Sequence, residues 1–117
     1  MLNWSALGDE QRNPGYTKGQ AVADLQHHFG VSKVVFIEGF SKHDKTKGHI
    51  DGIARFINAT TVVVVQCTSG SKCKPDDGGK GSVFEAAADT IQAAGFTVIR
   101  EPIEGVAPVN KDTFDTN

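Results

Sequence analysis

The chain has 117 residues, of which 38% are apolar and 22% charged, and a formal net charge of −2. That length fits one domain with its own core. The near-neutral balance gives no electrostatic case for nucleic acid or an anionic membrane surface. No stretch approaches the roughly 20 apolar residues of a membrane helix, and Met1-Leu2-Asn3-Trp4 lacks the basic start and apolar run of a signal peptide. With only two cysteines, Cys67 and Cys73, the expectation is a reducing cytoplasm.

Residues 1–16 read as irregular, with Asn13-Pro14-Gly15 as a turn signal. Thr17 and Gln20 then form a capping box that opens a helix. Ala21, Val22, Leu25 and Phe29 fall on one face of it, and Gly30 stands where a left-handed cap belongs. His27 and His28 are adjacent on this helix, point apart, and read as surface residues. Val34 to Ile37 predicts a short buried strand. Gly39 to Gly48 is a polar loop. Ile50 to Ile57 predicts a strand, and Asn58-Ala59 a tight connection. Thr60 to Cys67 carries four consecutive valines and predicts a strand buried on both faces.

Thr68 to Gly81 is a loop rich in glycine and lysine. Its Gly78-Gly79-Lys80-Gly81-Ser82 segment lacks the full phosphate-loop pattern, because Gly81 follows Lys80. Ser82 and Glu85 read as a second capping box. Phe84, Ala87, Ala88 and Ile91 then give a helix its apolar stripe, ended by Gly95. Phe96 to Ile99 predicts a strand, and residues 105–117 a loose tail. The last four elements run strand, strand, helix, strand.

The segment Thr46-Lys47-Gly48-His49-Ile50-Asp51-Gly52-Ile53-Ala54-Arg55-Phe56 resembles the agmatine deiminase and bacterial peptidylarginine deiminase family. Members of that family read T-D-G-H-(I or V)-D followed by an A-R-F-like stretch. Gln11-Arg12-Asn13-Pro14 is similar to the family's N-R-N-P before a helix. Gly30-Val31-Ser32-Lys33-Val34 is similar to its G-V-x-K-V before the next strand. The resemblance runs over residues 11–104 of a chain read as one domain, 1–117.

The resemblance implies an α/β (α+β) fold: a partial pentein-type β/α-propeller, with one ββαβ unit plus the closing αβ of a preceding unit. It implies hydrolysis of a guanidine to a ureido product through a covalent amidino-cysteine, with no metal or organic cofactor. A guanidinium is a cationic, planar, poor electrophile. Carboxylates must hold it, a thiolate must attack it, and an acid must protonate the leaving amine. His49 matches the family's general acid/base, a role suited to a side chain that titrates near neutrality. Asp51, with Asp44, matches the carboxylates that bind substrate. If the strand begins at His49, positions 49 and 51 share one face.

The match is not complete. The family's nucleophile lies in a G-x-I-H-C-like context that these residues lack, and Lys47 and Lys45 stand where acidic residues are usual. Cys67 reads as a buried strand end. Cys73, between Lys72 and Lys74, has the surroundings that lower a thiol pKa. Arg55 is a candidate ion-pair partner for Asp51 or a neighbouring carboxylate. The expectation is a fragment-length homologue of the guanidine deiminases, inactive alone, with agmatine and peptidyl-arginine both open as substrates. The alternative is a non-catalytic module that binds a guanidino ligand or a protein partner. Unprotected sheet edges favour a homo-oligomer or a partner chain in either case.

Overall fold

The computed structural model describes residues 1–40, 48–67 and 82–103. The order is β1 (Leu2–Asn3), α1 (Trp4–Leu7), α2 (Lys18–Phe29), β2 (Phe36–Ile37), a 3₁₀ turn (Ile50–Gly52), β3 (Ala54–Phe56), β4 (Thr61–Cys67), α3 (Ser82–Ala93) and β5 (Thr97–Ile103). Strands β1 and β2 pair in parallel as a small sheet. A second sheet has the order β3-β4-β5, antiparallel on one side of β4 and parallel on the other.

The first helix signal works as read. Thr17 accepts a bond from the Gln20 amide, the Gln20 side chain accepts from the Thr17 amide, and Gly30 closes α2 at φ +66°. Its apolar stripe is less buried than the spacing predicts. Ala21 is fully buried, but Phe29 is 73% exposed. Nor are residues 1–16 irregular throughout, because Leu2–Asn3 and Trp4–Leu7 form β1 and α1. A two-residue strand leaves no periodicity to read; its partner β2 supplies the pairing.

The predicted strand from Ile50 to Ile57 is only half a strand. Residues 50–52 turn instead, with the Ile53 amide donating to the Ile50 carbonyl at 2.9 Å. Asp51 and Gly52 are both poor strand formers, which explains the break. The Asn58 side chain makes the next connection, accepting from the Thr60 and Thr61 amides at 2.9 Å each.

Helix α3 lies on one face of the larger sheet, contacting β4 and β5 and also β2. Ala87, Ala88 and Ile91 meet Val62, Val64, Ala54, Ile53 and Ile37 in one core. Val62 and Val64 are fully buried on this face, whereas Val63 and Val65, pointing the other way, are only half-buried. Burial on both faces of β4 is therefore not reached among the described residues, because α3 covers one face only. On the α3 side, Phe56 meets Phe96 edge to face at 5.3 Å.

Arg100 of β5 sits opposite Val64 and reaches α3. It donates to both Glu85 oxygens, at 2.8 and 2.9 Å, and to the Val65 carbonyl at 3.1 Å. Both oxygens of the Glu85 carboxylate thus serve Arg100. The capping box read for Ser82 and Glu85 rests on the Ser82 side chain, which lies outside the described residues, as does the segment 105–117 read as a tail. No helix among the described residues is long and apolar enough to cross a membrane.

Two outcomes follow from this packing. Ile91→Ala empties a fully buried site, and chemical denaturation should show a loss of about 2–5 kcal/mol. Ile99→Ala, at a position 45% exposed, should cost under about 1 kcal/mol. Second, hydrogen bonds from Arg100 hold the Glu85 carboxyl below its ordinary value. A carboxyl lowered by folding adds stability above its unfolded pKa and loses it as pH falls through the folded one. Melting curves at falling acid pH should show that loss, and Glu85→Gln should reduce it.

Candidate functional site

The site rests on a buried amide. Asn3 is 3% exposed, so both ends of its side chain need partners inside the protein. Its oxygen caps α1 by accepting from the Ser5 amide at 2.9 Å. Its nitrogen donates to the Gly39 carbonyl at 2.8 Å, across 36 residues of sequence. The Gly39 amide returns a bond to the Ser5 hydroxyl at 2.9 Å.

Gly48 lies directly against this clasp. A Cβ there would stand 2.5 Å from the Asn3 amide nitrogen and 3.0 Å from the Gly39 carbonyl oxygen. Its φ is +86°, a conformation open to glycine and strained for other residues. The segment that follows, His49-Ile50-Asp51, is thereby delivered beside the N-terminal segment. His49 precedes the 3₁₀ turn and Asp51 lies within it. The shared-face argument for a strand fails here, yet the two side chains still border one cavity.

That cavity is open to solvent and has a volume of about 540 Å³. Its polar and charged lining is Asn3, Arg12, Asn13, His49 and Asp51, and Gly48 borders it as well. Leu2, Ala6, Leu7 and Ile50 make the rest apolar. Arg12 and Asn13 sit in a turn whose amides donate to the Asp9 carbonyl at 3.0 and 2.8 Å. The Asn13 side chain ties that turn to α1 by donating to the Leu7 carbonyl at 2.7 Å.

Both His49 and Asp51 are exposed to solvent. The arrangement sets an imidazole and a carboxylate at the border of one solvent-open cavity. Asp44 and Cys73 lie outside the described residues, as does the side chain of Cys67. Arg55 pairs across the sheet with Val63 and has no carboxylate partner among the described residues, so the suggested pairing with Asp51 is not seen there. No group of three His, Cys, Asp or Glu side chains among the described residues is placed to hold a metal ion. Asn3, Ser5 and Gly39 carry no pattern that marks them in the sequence. Arg12 and Asn13 do stand in the Gln11-Arg12-Asn13-Pro14 motif.

Gly48→Ala should destabilise the fold by more than about 2 kcal/mol in denaturant titrations, from the positive φ and the clash with Asn3. Gly52→Ala, with no atom within 4 Å of the added carbon, should change stability by less than about 1 kcal/mol.

Comparison with known proteins agrees with this geometry at the level of family and fold. The model of the Porphyromonas-type peptidyl-arginine deiminase family matches residues 1–97. A Listeria monocytogenes protein with the provisional name agmatine deiminase 2 is 30% identical over 103 residues. That match covers 88% of this chain and 27% of the Listeria protein. The structure of a cysteine-to-serine variant of C. jejuni agmatine deiminase with substrate bound superposes with a TM-score of 0.70 at 27% identity, over 86% of this chain and 29% of that one. A Porphyromonas gingivalis structure, provisionally named an arginine deiminase, gives 0.68 at 24% identity, over 92% and 31%. The mixed α/β fold is thus one found in agmatine deiminases, and this chain spans under a third of the length of each of these three relatives. With its family model covering most of its residues, the chain belongs to the Porphyromonas-type peptidyl-arginine deiminase family.

Proposed function

We propose that this chain carries the proton-transfer and guanidinium-binding part of a guanidine deiminase site and is inactive by itself. The observation that carries this reading is that His49 and Asp51 line one cavity, on a segment locked in place by Asn3 and Gly48. In the proposed role Asp51, with Asp44, accepts hydrogen bonds from the guanidinium in a forked geometry. A thiolate attacks the guanidinium carbon. His49 gives a proton to the departing nitrogen, which leaves as ammonia, and then takes one from the water that releases the ureido product. The thiolate is the part this chain lacks in the family's sequence context. Agmatine and peptidyl-arginine are the candidate substrate classes, in keeping with the names of the relatives.

The architecture fits the same proposal. The run β3-β4-α3-β5 serves as one ββαβ unit of a pentein-type ring, and α2-β2 as the close of the unit before it. Parallel strands such as β4 and β5 are normally covered on both faces. Here Val63 and Val65 are half-buried and Ile99 is 45% exposed on the face away from α3. A second copy or a partner chain would cover that face and complete the ring.

Two assays test the proposal. In the first, the purified chain is incubated with agmatine, arginine and an arginine peptide, and ureido product is measured. No turnover is expected; turnover that disappears in His49→Ala would overturn the inactivity. In the second, binding of a guanidino ligand is followed by calorimetry or NMR. Asp51→Asn should weaken it about tenfold or more, the scale of one charge-assisted hydrogen bond. His49→Ala should change it by less than about threefold, because proton transfer is not needed for binding.

A further inference from the structure

The pairing register sets which side chains share the face of the larger sheet away from α3. Arg55 of β3 lies opposite Val63 of β4, and Val63 lies opposite Ile99 of β5. Val65 lies opposite Glu101. Ile57, two residues past Arg55, continues the ladder by donating to the Thr61 carbonyl at 3.0 Å, so it points the same way. The apolar members are incompletely covered among the described residues. Val63 and Val65 are half-buried, Ile57 is 57% exposed and Ile99 45%. An apolar strip of this kind on a parallel pair calls for a covering layer. The two charges, Arg55 and Glu101, are exposed and stand on the opposite outer strands of this sheet. Neither has an ion-pair partner among the described residues.

We infer that this face binds a second copy of the chain, sheet against sheet, with Arg55 of each copy paired to Glu101 of the other. The occupant follows from the layout of the charges. A cation on one outer strand and an anion on the other make the face complementary to itself. A two-fold axis along β4 lays β3 of each copy over β5 of the other, at the roughly 10 Å spacing of packed sheets. Arg55 then lies over Ile99 of the second copy, one two-residue step of about 7 Å from its Glu101, within the combined reach of the two side chains. The valines and isoleucines meet between the two ion pairs. A two-fold axis across the strands would instead set Arg55 over Arg55, and like charges repel. A face three strands wide is small beside the roughly 800 Å² a side of a standard interface, so the dimer should be weak and concentration-dependent. The inference deepens the reading above by naming the copy that covers this face, and it does not depend on the chemistry proposed for His49 and Asp51.

Charge reversal tests this directly. Sedimentation and light scattering on the full chain, from micromolar to millimolar concentration, should show a mass that rises from one chain to two. Arg55→Glu or Glu101→Arg alone should weaken association about tenfold or more, because two exposed attractions become two repulsions. An equimolar mixture of the two variants should associate like the unaltered chain, since each pair across the interface again joins a cation to an anion. The double variant should do the same. Both positions are exposed, and thermal melts would confirm that the variants fold. A chain that stays monomeric over the whole range would overturn the inference and leave the face to a partner of different sequence. Association unmoved by either reversal, or a mixture that associates no better than its separate components, would overturn it as well. Guanidino-ligand binding lost in Asp51→Asn is read in a separate experiment, so the site reading stands or falls without regard to the dimer.

Discussion

The buried side-chain amide of Asn3 is the constraint on which the site depends. An amide removed from water with an unmet donor or acceptor costs on the order of 1–3 kcal/mol. Both ends of this one are met, by the Ser5 amide and the Gly39 carbonyl. The same group closes the space above Gly48, so that no side chain fits there. One residue therefore caps α1, anchors the chain after β2, and fixes the entry to His49-Ile50-Asp51. The turn itself is lightly held: its two main-chain bonds measure 2.9 and 3.4 Å. Its position comes from the clasp before it and from Ile53 after it, which is buried in the core.

Ile53 is also the link to the larger sheet. Its carbonyl accepts from the Val65 amide at 3.0 Å, extending the β3-β4 ladder by one step toward the turn. Helix α3 covers that sheet through Ala87, Ala88 and Ile91, whose small and branched side chains allow close approach. Arg100 and Glu85 join the same two layers at a more exposed place. An exposed pair of this kind contributes little by itself, and the core supplies most of the adhesion. The site thus lies between two packed regions, the β1-β2 pair with its short helix and the three-stranded sheet with α3.

This position matters for chemistry. A candidate acid/base and a carboxylate on a short turn are exposed, while the groups that hold the turn are buried. Precision is supplied by the support, and access is left to the ligand. The division of labour suits a chain that spans under a third of its longer relatives. In the proposed role it holds a guanidinium-binding half-site in shape without supplying every reacting group.

Local chemistry was legible in the residues themselves. The Thr17–Gln20 box, the left-handed Gly30, the valine-rich β4 and the apolar stripe of α3 each follow from short-range rules that neighbouring residues satisfy. That His49 and Asp51 belong to one place was legible too, because Gly48-His49-Ile50-Asp51 and its flanks match the family pattern even with Lys47 departing from it. What only the tertiary structure decided involves partners far apart in sequence. Asn3 gains its meaning from Gly39 and Gly48, Glu85 from Arg100, and β1 from β2. Residues 49 and 51 reach one cavity through a turn and not through a strand: Asp51 and Gly52 break the strand locally, and a buried clasp 46 residues upstream of His49 lies against the glycine from which the turn is entered. A sequence pattern records which residues favour a strand or a turn. It does not record which distant amide will be waiting beside them.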